Sequence, residues 1–235
     1  MAASFAEHYR DFYDPNDDAH LAWRAAGATQ KADNVRAMWS RIEGPQHPTV
    51  ADIGCGDGAI AAALSRSTFY ERLDGFDVSD SGVAIAQSRG IMSASFAVYD
   101  GARVPVEDGS YDLALLSHVV EHVEEPRAII REAARIARWV VIEVPMEHNL
   151  RHLGDFRWTD TGHVNFYDTA LFRQLVQSCG LTVHAEATTN PSKPGPGPLR
   201  TKSMARWAMK QGLLKTVPAL ATGVFTYHRV LIASA

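Results

Sequence analysis

From residue 49 to residue 145, short runs of β-forming residues alternate with helix-length segments, and this alternation restricts the fold more than any other feature of the chain. TVADIG is followed by AIAAALS, LDGFDVS by SGVAIAQS, ASFAVYD by a loop and YDLALLS by EPRAIIREAARIA; RWVVIEVP closes the series. Strands joined through crossover helices lie parallel, and the helices cover both faces of the sheet. Ligands of such sheets sit beyond the carboxyl ends of the strands. The residues that end each run are therefore where a site is expected.

The flanks are less regular. Residues 5–43 carry Phe5, Tyr9, Phe12, Leu21, Trp23, Val35, Met38 and Trp39 at spacings that suit helices, and read as a helical cap over residues 1–43. After Pro145 comes a polar, histidine- and aromatic-containing segment, MEHNLRHLGDFRWTDTGHVNFYD, then a helix, TALFRQLVQSCG, with Gly180 in the position of a C-terminal cap. LTVHAEATTN and VFTYHRVLIAS are expected as strands. NPSKPGPGP between them is too rich in proline and glycine for regular structure, and a helical segment follows at 199–214. That segment is net basic through Arg200, Lys202, Arg206 and Lys210, and no Asp or Glu follows Glu186. At 235 residues, one domain is expected over 1–235: the cap, a core at 49–189, an insertion at 191–222 and a last strand at 224–234.

A formal charge of -4 gives no reason to expect nucleic acid as a partner. The two cysteines, Cys55 and Cys179, fit neither a metal knuckle nor a disulfide scaffold. The first residues lack the basic start and apolar run of a signal peptide, and no stretch approaches the roughly 18 apolar residues of a membrane span, so a cytoplasmic location is expected.

VADIGCGDGA, at 50–59, places Gly54, Gly56 and Gly58 in a strand-to-helix turn, where glycine permits unusual φ and close ligand approach. The string also satisfies the loose dinucleotide pattern G-x-G-x-x-G/A, with Ala59 last, so a nicotinamide or flavin cofactor has to be weighed. Charge separates the two readings. A pyrophosphate would face Asp57 in the loop and Asp52 just before it, whereas an ammonium and a sulfonium would be attracted by both. S-adenosylmethionine carries those two groups.

DIGCGDGAIAAAL resembles the first motif of class I S-adenosylmethionine-dependent methyltransferases. FDVSDSGVAIAQSRG is similar to the second, and the resemblance implies that Asp77, with Val78 after it, holds the ribose hydroxyls. VYDGARVPVEDGSYDLALLSHVVEHVEEP resembles the next two motifs. The implied roles fall on Asp100 and Gly101 near the adenine and on Ser117 and His118 beside the methyl-donor site. The similarity spans roughly 49–189, and runs nearest the branch containing quinone-biosynthesis and small-molecule tailoring enzymes. It implies an α/β, Rossmann-like, mainly parallel seven-stranded sheet with an antiparallel last strand and helices on both faces. It further implies methyl transfer to a small-molecule oxygen, nitrogen or carbon. The alternatives are an NAD(P)-dependent oxidoreductase and a protein that binds the cofactor without catalysis.

His118-Val119-Val120-Glu121-His122 matches H-x-x-E-H, a zinc-peptidase pattern. That pattern needs both histidines on one helix, and LALLS reads as a strand ending at Ser117, so no metal is expected. Methyl transfer needs in-line approach, exclusion of water and sometimes a base. His118, at the strand end, and His163, in TGHVNFYD, are the candidate bases, since an unperturbed imidazole pKa of about 6.5 suits that task. Tyr9, Phe12, Tyr13 and Trp23 are candidates to close over the cofactor. The basic segment 199–214, with Met204, Trp207, Leu213 and Leu214, could touch an anionic acceptor or a membrane surface.

Overall fold

The computed structural model describes residues 13, 18–150, 162–193 and 200–235, without the side chains of residues 18–20, 23 and 200. Phe5, Tyr9, Phe12 and the Trp23 side chain therefore lie outside the described residues. Helix α1 spans Asp18–Trp39. The alternating part follows as β1 (Thr49–Ile53), α2 (Ala59–Ser65), β2 (Arg72–Asp77), α3 (Asp80–Ser88), β3 (Ala94–Val98) and β4 (Tyr111–Ser117). A 3-10 turn at Val120–His122, α4 (Pro126–Ile136) and β5 (Ala137–Pro145) come next. The remainder is α5 (Thr169–Gln177), β6 (Thr182–Thr189), α6 (Arg200–Thr216), α7 (Pro218–Val224) and β7 (His228–Ser234).

The expected seven-stranded sheet forms, in the order β3-β2-β1-β4-β5-β7-β6. The first five strands pair in parallel, and β7 runs antiparallel to both β5 and β6. The order reverses between β1 and β4, which makes their carboxyl ends the crevice where a ligand can enter.

Strand periodicity divides the core in two. Val50, Leu113, Leu115, Val141, Val230 and Ile232 face α1, α2 and α3, while Ala51, Ile53, Ala114, Leu116, Val140 and Leu231 face α4 and α5. Helix α1 meets the first layer with Ala28, Ala32, Val35 and Trp39, spaced four, three and four apart on one face. Helix caps act where polar residues precede the helices. Ser79 Oγ accepts from the Gly82 amide at 3.1 Å, and Asp168 Oδ1 accepts from the amides of Ala170 and Leu171.

One boundary differs from expectation. The last strand begins at His228 rather than at residue 224, because Pro218 starts a short helix that runs through Val224. The Tyr227 side chain, fully buried, donates from its hydroxyl to the Lys210 carbonyl at 2.8 Å and packs with Met146 and Ala221. The apolar residues that look like the start of a strand thus fix α6 and α7 to the end of the sheet.

Candidate functional site

The loop after β1 has left-handed backbone at Gly54 (φ 77°) and Gly56 (φ 53°). The Gly54 and Cys55 amides both donate to the Phe76 carbonyl, at 2.7 and 3.2 Å, which holds the loop against the end of β2. A Cβ on Gly54 would collide with Val119, and one on Gly56 with the Tyr13 hydroxyl and the Arg24 guanidinium. Tyr13 thus lies against the glycine loop, with Arg24 stacked over its ring at 4.5 Å. Of the four aromatic residues expected near the cofactor, Tyr13 is the one whose side chain is described.

Asp77 ends β2 and is buried; its Oδ2 accepts from the Gly56 amide at 2.7 Å and its Oδ1 from the Ser79 amide at 2.9 Å. Burial raises its carboxyl above the usual range, and these amides and Arg24 oppose that rise. Asp52, on β1, is almost fully buried, and its Oδ2 accepts no hydrogen bond among the described residues. Burial, reinforced by Asp77, lifts its carboxyl to about 7. Val78 follows Asp77 and would touch a Cβ placed on Gly101. Asp100 is exposed and its Oδ1 accepts from the amides of Ala102 and Arg103, both at 2.9 Å.

Asp57 corrects the charge argument made for the loop. It is fully buried, with Arg24 Nε 3.0 Å from Oδ1 and Arg89 Nη2 2.5 Å from Oδ2. Two guanidiniums more than neutralise it, so it presents no net negative charge to a ligand. Asp52 and Asp77, at the ends of β1 and β2, have no guanidinium ion pair among the described residues.

Ser117 closes β4, buried, with no hydrogen-bond partner for its hydroxyl among the described residues. His118 then turns into the left-handed region at φ 58°, a conformation costly for a residue with a Cβ. Its amide still donates to the Glu143 carbonyl at 2.8 Å, while its ring nitrogens meet two carboxylates: Nδ1 lies 3.1 Å from Glu121 and Nε2 3.5 Å from Glu143. Burial and Lys31 push the His118 pKa down; the two glutamates outweigh them and raise it. His118 precedes the 3-10 turn and shares no helix with His122, so the geometry of the H-x-x-E-H pattern does not form.

His163 arrives from the other side of the sequence. The amides of Val164 and Asn165 donate to the Glu121 carbonyl, and the Asn165 side chain donates to the carbonyls of Val120 and Val123. These bonds lay the 162–168 segment on the turn after β4. They set the His163 ring 4.6 Å from that of His122, with its Nδ1 2.5 Å from Glu147. Glu121 stands between the two histidine groups. Burial pushes its carboxyl up, yet His118, His122 and His163 together pull it down to about 2.

Several residues of this site carry no local sequence signal. Glu143, His228, Asn34 and Lys31 join it from β5, β7 and α1. His228 Nδ1 and Asn34 Nδ2 lie 3.0 and 3.1 Å from Glu143 Oε1. Lys31 is held below its usual pKa by burial, against the pull of Glu143 and Glu121. Only Glu143, an acid inside the apolar run VVIEVP, could have been suspected.

A family model described as a methyltransferase domain matches residues 22–186. The chain belongs to this family. Its curated relatives include N- and O-methyltransferases. Ajmaline N-methyltransferase of Rauvolfia serpentina is 30% identical over 152 residues, covering 57% of this chain and 52% of the relative. Ubiquinone biosynthesis O-methyltransferase of Sodalis glossinidius (strain morsitans) is 25% identical over 163 residues, covering 58% and 60%. The chain spans about half the length of the first curated relatives it matches. A solved magnesium protoporphyrin IX methyltransferase from Synechocystis PCC 6803, with bound SAH, shares the methyltransferase fold with a TM-score of 0.64 at 20% identity, covering 97% of this chain and 98% of that one. No described helix is long and apolar enough to cross a membrane.

Proposed function

We propose that the protein binds S-adenosylmethionine at the carboxyl ends of β1, β2 and β4 and transfers its methyl group to a small molecule. The observation that carries this reading is the pairing of Asp77 with the Gly56 amide beside Asp52, whose Oδ2 has no hydrogen-bond partner among the described residues. The Asp77 carboxylate accepts the Gly56 and Ser79 amides, and a carboxylate has acceptor sites beyond two amides for a ribose hydroxyl. Gly54 and Gly56 leave bare backbone for close approach, Asp52 attracts the ammonium and sulfonium, and Val78, Asp100, Gly101 and Ser117 border the adenosine and methyl-donor regions. When bound, the sulfonium supplies an electrophilic methyl carbon; its bond electrons leave on sulfur as the acceptor's lone pair forms the new bond.

The acceptor proton is the task left to the protein. His118 and His163 each have a carboxylate against Nδ1, Glu121 and Glu147 respectively, which fixes the ring of either candidate base. Relatives that methylate nitrogen in ajmaline and oxygen in ubiquinone synthesis support a small-molecule N or O acceptor here. A cytoplasmic location and peripheral contact with anionic surfaces are part of this reading. Lys210 is excluded from that contact, because its ammonium donates to the Thr226 carbonyl; Lys202 and Arg206 are exposed. The surface contact fails if the protein does not co-sediment with anionic vesicles.

Calorimetric titration with S-adenosylmethionine, its demethylated product and NAD, on the wild type and Asp77→Ala, tests the core of the proposal. Saturable binding of the first two, weakened in the variant, is expected; binding of NAD alone would overturn it.

A further inference from the structure

Strand register brings two histidines and a glutamate to one point on the α1 face of the sheet. Glu143 lies two residues after Val141, His228 two before Val230, and Val141 and Val230 both belong to the layer under α1. Ser117, paired with Glu143 in the β4–β5 register, delivers His118 to the same place. The ligand atoms of His118, Glu143 and His228 all lie within 4.8 Å of one another. His118 Nε2 and His228 Nδ1 stand 3.5 and 3.0 Å from Glu143 Oε1.

We propose that His118, Glu143 and His228 form a binding site for a divalent transition-metal ion. Bonds of about 2.1 Å to nitrogen and carboxylate oxygen put neighbouring ligands roughly 3.0 to 3.4 Å apart in octahedral or tetrahedral coordination. Both measured separations from Glu143 fall close to that range. Two further observations point to an ion. Glu143 Oε2 and His118 Nε2 are buried and take part in no hydrogen bond among the described residues, an expensive arrangement unless a cation joins them. Glu121, against His118 Nδ1, supplies the carboxylate that orients a metal-ligating histidine and leaves Nε2 free to coordinate. Glu121 and Glu143 bring two negative charges and Lys31 returns one, so the surroundings still favour a cation.

A neighbouring group, Glu121, His122 and His163, also brings ligand types together; its His122 Nδ1 meets the Gly162 carbonyl and its His163 Nδ1 meets Glu147, and the variants below separate the two sites. Three protein ligands leave at least one position open. That position would take an oxygen or nitrogen of the acceptor, with His118 then a ligand and the acceptor proton left to His163, a use that rests on the methyl-transfer reading although the ion site does not.

The test is titration of the full chain, stripped by chelator and without affinity tag, with Co2+ followed by its ligand-field absorption. One saturable equivalent is expected in the wild type, weaker by at least about ten-fold in Glu143→Gln and His228→Gln and unchanged in His163→Ala. Circular dichroism and binding of the demethylated cofactor product, measured on the same samples, separate misfolding and failure of the cofactor reading from failure of the metal site. Absence of a saturable band in folded wild type would overturn the proposal. So would loss of the band in His163→Ala with His228→Gln unaffected.

Discussion

Asp77 Oδ2 accepts a hydrogen bond from the Gly56 amide at 2.7 Å, so the end of β2 fixes the loop that follows β1. A charge-assisted bond of this kind contributes about 1.5–3 kcal/mol. Asp77→Ala removes it, leaves the Gly56 and Ser79 amides unpaired, and deletes the acceptor for the ribose hydroxyls. Affinity for S-adenosylhomocysteine should fall at least about ten-fold by calorimetry, and Asp77→Asn, which keeps one carbonyl acceptor, should lose less.

Gly56→Ala puts a Cβ at φ 53° against Tyr13 and Arg24. The left-handed conformation alone costs roughly 1–2 kcal/mol, and displacement of Tyr13 adds to it. Urea unfolding should show a loss of at least about 1 kcal/mol. A neutral result would mean that the loop adopts another backbone in solution.

Asp52 gives a pH dependence with a definite sign. Its folded carboxyl titrates near 7 and its unfolded carboxyl near 4, so the folded state holds a proton that the unfolded state has lost between those values. The contribution to stability is complete below about pH 4 and is lost as pH rises through about 7. Asp52→Asn should flatten this part of the stability curve. A cationic ligand favours the ionised carboxylate, so affinity for S-adenosylmethionine should rise with pH up to about 7, with proton release on binding. Calorimetry in two buffers of different ionisation enthalpy measures the released protons directly.

Asp57 belongs to folding rather than to cofactor selection. Asp57→Asn leaves Arg24 and Arg89 facing a neutral buried amide, at a cost of several kcal/mol. A thermal melt should show the loss, while the preference for S-adenosylhomocysteine over NAD stays as in the wild type. A switch of that preference would restore Asp57 as a ligand-facing charge.

His118→Ala and His163→Ala should lower turnover with an acceptor more than they lower affinity for the demethylated product, if either ring takes the acceptor proton. A folded variant that loses both equally would have lost a structural role instead.

The parallel sheet, the glycine turn and the Gly180 stop are legible in the chain itself, because each depends on periodicity or turn chemistry within a few residues. The same holds for Asp77, which ends a readable strand. Residue 224 misleads for a local reason: VFTY has strand composition, but Pro218 starts a helix just before it and Tyr227 packs into the sheet end. Tertiary structure alone decided that Asp57, flanked by glycines in a ligand loop, meets Arg24 and Arg89 from more than thirty residues away on either side. It also decided that Glu143, His228 and Asn34 converge on His118. That convergence depends on antiparallel pairing of β5 with β7 and on the seating of α1, contacts across about 85 and 109 residues that no local pattern encodes.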